Sequence, residues 1–222
     1  MSARLIVFDV DGTLLDSQAH ILAAMARAFA THGLDCPPPA QVLSIVGLSL
    51  PQAIARLMPG PDAALLTALV ATYKDSFTAL RAQDASPLYP GARAVLERLL
   101  GRDDVILGVA TGKSRRGLDH VIAAHGLGGY FRTLQVADDH PSKPHPAMLR
   151  AALAEAGVRP ADAVMIGDTT YDIDMGRAAG TRTLGVTWGY HPPASLVQAG
   201  ADRVLEDFEA LLPAVEAFWE AA

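Results

Sequence analysis

The chain has 222 residues, half of them hydrophobic and 19% charged, with a formal net charge of −6. That length and composition suit one large domain, or a domain with an insertion, built around a sizeable core. The acidic balance gives no electrostatic footing for nucleic acid or an anionic membrane surface. An anionic substrate would depend on locally placed cations, and only three lysines (Lys74, Lys113 and Lys143) stand against fifteen arginines. Cys36 is the only cysteine, which excludes a disulfide framework and a cysteine-based zinc cluster. No apolar run reaches the roughly 18 residues a membrane helix needs. The first residues run directly into a strand pattern with no leader, so the expected setting is the cytoplasm, as a monomer or homodimer.

The opening run Arg4-Leu5-Ile6-Val7-Phe8 leads into Asp9, and Val10-Asp11-Gly12-Thr13 follows. A continuous apolar run of this kind reads as a strand buried on both faces of a parallel sheet. Its carboxyl end is where an open α/β sheet keeps its ligands. From Ser17 to about Ala85 the pattern is helical: Gln18 to His32, closed by Gly33, then Ala40 to Val46, Pro51 to Met58 behind Ser49 as N-cap, and a long helix opened by Asp62. This stretch predicts a helical unit, residues 17–85, inserted into an α/β domain of residues 1–16 and 86–222. Hinges are expected near Leu15-Asp16 and Asp84 to Pro87.

Beyond Pro90-Gly91, helix and strand alternate. Strands are expected at 105–111, 131–137, 163–168, 183–187 and 202–205, with helices at 92–100, 114–125, 147–156 and 171–179. Such alternation implies a doubly wound parallel sheet with right-handed crossovers. In that arrangement four strand ends converge. They bring Asp9 and Asp11, then Thr111-Gly112-Lys113, then Asp138 to Pro144 with Lys143, then Gly167-Asp168 to Asp172. Clustered carboxylates raise one another's pKa unless a cation sits among them. Oxygen ligands with room left for water and phosphate suit Mg²⁺. With the acids neutralised an oxyanion substrate can approach, and Lys143 and Thr111 are placed to meet its oxygens. Phosphoryl transfer needs this neutralisation, with one carboxylate as nucleophile and a second as acid and base.

The segment Asp9-Val10-Asp11-Gly12-Thr13 resembles the signature of the haloacid dehalogenase superfamily of phosphatases. Ala110-Thr111-Gly112-Lys113, Ser142-Lys143-Pro144-His145-Pro146 and Gly167-Asp168-Thr169-Thr170-Tyr171-Asp172 extend the likeness in the expected order. The helical insertion resembles the small cap of the phosphoglycolate phosphatase-like branch. The resemblance implies a Rossmann-like core and a Mg²⁺-dependent phosphatase acting on a small phosphorylated metabolite, with 2-phosphoglycolate the leading candidate. It implies Asp9 as nucleophile and Asp11 as general acid/base. Mg²⁺ would be held by Asp9, the Asp11 carbonyl and Asp168, with Asp172 in direct or water-mediated support. Thr111, Gly112 and Lys143 would receive the phosphoryl group. Asp11 favours phosphate ester or anhydride chemistry over carbon–halogen cleavage. A sugar phosphomutase, a pyrophosphatase or nucleotidase, and a non-catalytic binding protein on the same fold are the alternatives.

Other positions carry two readings each. Lys113 either reaches the substrate or opens the next helix as a solvated residue. His20 either looks back at the substrate or lies on a helix surface. Asp138, Asp139 and Asp174 read as loop and helix acids, His145 as structural, and His191 as a surface-loop residue before Pro192-Pro193. Arg56, Lys74 and Arg81 are unranked partners for a substrate carboxylate.

Overall fold

The computed structural model describes residues 3–58, 60 and 62–220. Strand β1 (Arg4–Phe8) lies inside a six-stranded sheet with β2 (Val105–Thr111), β3 (Thr133–Val136), β4 (Ala163–Gly167), β5 (Arg182–Val186) and β6 (Arg203–Leu205). The order is β3-β2-β1-β4-β5-β6, every pairing is parallel, and β1 pairs with both β2 and β4. Both faces are covered, as the apolar strands require. Leu5 and Val7 point to one face, with Met165, Met148 and Leu149. Ile6 and Phe8 point to the other, with Ile166, Leu96 and Val215. This two-residue alternation is the strand's own side-chain period.

Helices α1 (Gln18–Thr31), α2 (Pro39–Leu43), α3 (Leu50–Leu57) and α4 (Ala63–Gln83) follow the first strand without an intervening one. They pack around an apolar cluster of their own that includes Ile21, Met25, Phe29, Ile54 and Leu69. Asp62 caps α4 by accepting from the Leu65 N–H at 2.7 Å. The chain enters and leaves this helical segment through two paired strips: the Asp16 N–H donates to the Pro87 carbonyl at 2.9 Å, and the Tyr89 N–H to the Leu14 carbonyl at 3.0 Å. The remaining helices are α5 (Ala92–Leu100), α6 (Arg115–Ala124), α7 (Ala147–Ala156), α8 (Thr170–Ala179), α9 (Pro193–Ala199) and α10 (Leu211–Glu220).

The periodicity reading omits α9 and α10. The seven-residue α9 follows Pro192, begins on Pro193 and buries only Leu196, too little for an apolar stripe to show. Leu211, Leu212, Ala214 and Val215 of α10 are buried against the sheet. Leu211, Leu212, Val215, Phe218 and Trp219 fall at helical spacing on one face, so its stripe is present in the sequence. Ser49 precedes α3 as expected, yet its side chain makes no cap bond. Its backbone N–H instead donates to Ser142 Oγ at 2.7 Å, joining the helical segment to the α/β part. Among the described residues no helix is long and apolar enough to cross a membrane.

Candidate active site

Because β1 has β2 on one side and β4 on the other, the chain turns opposite ways across its carboxyl end, and a crevice opens there. The register aligns Phe8 with Val109 and Ile166. Asp9 therefore emerges beside the ends of β2 and β4, and its N–H donates to the Ile166 carbonyl at 2.9 Å. Asp9, Thr111, Lys143, Asp168 and Asp172 are all at most 1% exposed. Carboxylate oxygens of Asp9, Asp168 and Asp172 lie within 4.8 Å of one another.

Lys143 sits between two of these acids. Its Nζ donates to Asp172 Oδ1 at 2.6 Å and lies 3.0 Å from Asp9 Oδ1. The second contact is an ion pair off the line of hydrogen bonding, so neither Asp9 oxygen has a hydrogen-bond partner. Burial alone would favour a neutral Lys143, but Asp172 and Asp9 outweigh it and hold the ammonium above the ordinary lysine range. Burial works against charge on Asp9 too. Lys143 offsets only part of that, Asp172 and Asp11 add repulsion, and the Asp9 carboxyl is pushed up to about 7. Asp168 is raised well above the usual carboxylate range by burial, then by Asp172 and Asp9. The Tyr190 N–H and the Thr13 hydroxyl, both bonded to Asp168 at 2.9 Å, partly oppose this.

The group fits a divalent cation on its own chemistry. Three carboxylates against one ammonium leave a formal excess of two negative charges, and two buried Asp9 oxygens lack hydrogen bonds. Such orphaned oxygens are costly unless something satisfies them. An all-oxygen donor set suits a hard cation. Asp172 is the least free of the three. Its Oδ1 takes Lys143, and its Oδ2 accepts from the Thr169 N–H and hydroxyl at 3.1 and 2.7 Å, closing a capping box at the start of α8.

Asp11 stands apart. Lys113 Nζ donates to both of its oxygens at 2.7 Å, and the Ser17 hydroxyl donates to Oδ1. Gly12 lets the turn between the two acids press against Asp168. Its φ is +84°, and a Cβ there would stand 2.3 Å from Asp168 Oδ2. Above these residues lies a cleft of about 500 Å³ with Asp9, Asp11, Thr111 and Lys113 at its floor. Its roof is largely apolar, formed by Ile21, Met25, Ile45, Leu50 and Phe77. The roof reaches the floor through the loop before α3. At Gly112 a Cβ would stand 2.6 Å from the Leu48 carbonyl oxygen and 2.7 Å from that of Gly47. The Tyr171 hydroxyl donates to the Ser44 carbonyl at 3.0 Å, and His191 Nε2 lies 3.1 Å from the same oxygen.

The residues proposed from sequence are thus brought to one crevice: Asp9, Asp11, Thr111, Gly112, Lys143, Asp168 and Asp172. Thr111 Oγ1 accepts from the Lys113 N–H at 3.2 Å, and Lys113 turns to Asp11 rather than to solvent. His20 is not in the cleft lining; its Nδ1 lies 2.6 Å from Ser86 Oγ, at the exit from the helical segment. Asp138 lines the cleft but accepts from the Arg115 N–H at 2.8 Å. His145 Nδ1 accepts from the Ala147 N–H within its own loop, at 3.2 Å. Arg56 lies over the Tyr171 ring and outside the cleft lining, whereas Lys74 and Arg81 line it. His191 does lie in a loop, but it bridges the helical segment to Thr170, whose N–H reaches its Nδ1 at 3.1 Å. The β5–α9 loop was missed. It supplies the Tyr190 N–H to Asp168 and the Trp188 Nε1–H to the Thr13 carbonyl at 3.0 Å. Backbone donors leave no mark in residue type, and only the position of β5 beside β4 predicts such a loop.

Comparison with known proteins agrees with this geometry. The model of the haloacid dehalogenase-like hydrolase family matches residues 6–186. "Probable phosphatase IndB" of Dickeya dadantii is 32% identical over 217 residues, covering 96% of this chain and 94% of that protein. A phosphoglycolate phosphatase of Haemophilus influenzae is 31% identical, over 94% of this chain and 96% of that protein. A solved hydrolase from Pseudomonas syringae shares the fold, with a TM-score of 0.86 at 24% identity over 96% of this chain and 98% of that one. With the family model running from within β1 to the end of β5, the chain belongs to the haloacid dehalogenase-like hydrolases.

Proposed function

We propose that this protein is a Mg²⁺-dependent phosphatase that hydrolyses a small phosphomonoester through an aspartyl-phosphate on Asp9. The observation that carries this reading is the state of Asp9. It is a carboxylate just past the end of a rigid central strand, at the floor of a cleft, with Oδ1 ion-paired to Lys143 at 3.0 Å and the buried Oδ2 without a partner. A nucleophile needs an unencumbered lone pair aimed into the binding space. Asp168 and Asp9 would hold the cation, with the Asp11 carbonyl completing the set and Asp172 acting mainly through Lys143. Bound there, Mg²⁺ would supply charge neutralisation and orient the phosphoryl oxygens.

The remaining chemistry belongs to the chain. An Asp9 oxygen attacks phosphorus, the phosphorus–oxygen ester bond breaks, and the leaving oxygen takes a proton from Asp11. Water then attacks the aspartyl-phosphate, gives its proton to Asp11, and Asp9 is released with inorganic phosphate. Lys143 and Thr111 steady the transferring oxygens, and Gly112 leaves backbone room for them. Because Lys113 now grips both Asp11 oxygens, the acid role requires Lys113 to turn aside as the leaving group enters. Residues 17–85 act as a cap on the core of residues 1–16 and 86–222, closing over the leaving group and excluding water. The relatives named phosphoglycolate phosphatase support 2-phosphoglycolate as the first substrate to try.

The test is phosphate release from 2-phosphoglycolate and a panel of small phosphate esters, with and without Mg²⁺. Wild-type protein should release phosphate only with the metal, and Asp9→Asn should release none while remaining folded. Full activity in excess chelator would remove the metal from the scheme. Wild-type activity in Asp9→Asn would remove the nucleophile.

A further inference from the structure

Besides the acids and Lys113, the cleft lining carries further cations. On α4, Lys74, Phe77, Thr78 and Arg81 recur at three- and four-residue spacing and turn one helix face to the cleft. Across from them, the first turn of α6 contributes Arg116. One guanidinium therefore belongs to the helical segment and the other to the α/β part, and the cleft runs between them. Among the described residues neither has an acid within ion-pairing distance. The other acids lining the cleft are committed: Asp11 to Lys113, and Asp138 to the Arg115 N–H. Partial burial, and then the charge of Arg116, pull Arg81 below the ordinary arginine range. His120 beside them is lowered by burial and then by Arg81, His125 and Lys113. In a chain of net charge −6 this is a local excess of positive charge facing open space.

Two like charges held across a gap between separate elements cost free energy unless an anion joins them. Guanidinium forks suit the planar oxygens of carboxylate and phosphate. We infer that Arg81 and Arg116 form a second anion subsite, which grips a carboxylate or second phosphate carried on the leaving group of the phosphomonoester. This rests on the phosphatase reading and narrows it. The substrate carries two anionic groups, one over Asp9 and one at Arg81 and Arg116. Filling the subsite also removes the repulsion between the two elements, so substrate binding favours the closed cleft.

The experiment compares kcat/KM for 2-phosphoglycolate and its homologues with one and two more methylenes against ethyl, propyl and butyl phosphate. Propane-1,3-diol bisphosphate serves as the arm with a second phosphate in place of the carboxylate. Wild-type protein should prefer at least one doubly anionic ester over its uncharged counterpart by about 10-fold or more, the scale of a charge-assisted hydrogen bond. Arg81→Met and Arg116→Met should each shrink that preference by about 10-fold, and Arg81→Lys should keep part of it. A wild-type preference absent for every pair, or unchanged in both Met variants, overturns the subsite. If no ester is hydrolysed, the phosphatase reading fails separately. The subsite is then judged by calorimetric titration of Asp9→Asn protein with the same ligands, where the affinity difference must appear and must fall with Arg81→Met.

Discussion

The floor of the cleft and its roof are built on opposite terms. At and just beneath the floor, Asp9, Asp168, Lys143 and Asp172 are buried at two strand ends, a loop and the first turn of α8, with charge packed against charge; of the four only Asp9 lines the cleft. On the roof, Ile21, Met25, Ile45 and Leu50 offer shape and little polarity. Three hydrogen-bond contacts join the two near the loop before α3: Ser49 to Ser142, and Tyr171 and His191 to the Ser44 carbonyl. The floor is held by charge, and the roof by apolar packing and these few hydrogen bonds. Changes to the floor should therefore act on kcat and stability, and changes to the roof contacts on KM and on substrate choice.

Asp9→Asn tests the floor most severely. It keeps the shape and removes the attacking charge, so phosphate release should fall by about 10³-fold or more with circular dichroism unchanged. Lys143→Met comes next. It leaves Asp9 and Asp172 facing each other without their shared cation, a loss on the order of 3–5 kcal/mol for a broken buried pair. Thermal melting should drop accordingly, and added Mg²⁺ should restore part of the loss, because a cation among the acids replaces some of the missing charge. A Lys143→Met protein that melts like wild type would mean that the floor is not held together by charge.

The floor was legible in the sequence because each of its groups sits where an apolar run stops. Asp9 directly follows β1, Thr111 ends β2, and Asp168 directly follows β4, so the parallel topology alone places them together. The sole lysine between β3 and β4, Lys143, falls in the same crevice. What the residue pattern cannot carry is relation across the cleft. Lys113 pairs with Asp11 over a separation of 102 residues, and Arg81 and Arg116 share a cleft lining although they belong to different elements. The Tyr190 N–H on Asp168 is a backbone donor with no signature of its own. The run of helices after β1 was readable for a plain reason: α1 to α4 follow one another without an intervening strand.

At Gly112 the roof and floor meet most closely, and a single methyl tests the meeting. In Gly112→Ala the new Cβ would stand 2.6 Å from the Leu48 carbonyl oxygen, a backbone atom that cannot swing away alone. The loop before α3 must lift. KM for the preferred substrate should rise by about 10-fold or more, since a displacement near 1 Å misplaces bound groups. Global stability should change little, because the core clusters on either side are untouched. If KM is unaffected, the closed contact is not used during turnover.

The weakest test is at the Ser44 carbonyl. Tyr171→Phe removes one hydroxyl bond of 3.0 Å there and should weaken docking by about 1 kcal/mol. The other bond titrates. His191 Nδ1 accepts from the Thr170 N–H, which leaves Nε2–H to donate to Ser44 and fixes the ring as neutral. Burial lowers its pKa most, the Ser44 carbonyl and Asp172 pull the other way, and Arg56 adds to the lowering. For a base whose pKa is depressed by docking, stability is complete above the undocked value, about 6.5, and is lost as the pH falls below it. Protonation would also put a hydrogen on Nδ1 against the Thr170 N–H. Amide-exchange protection of the 44–50 loop should therefore decline as the pH falls through and below about 6.5 in the wild type. In His191→Gln that decline should flatten. A wild-type profile level over this range would show that Tyr171 and Ser142 hold the roof down without His191.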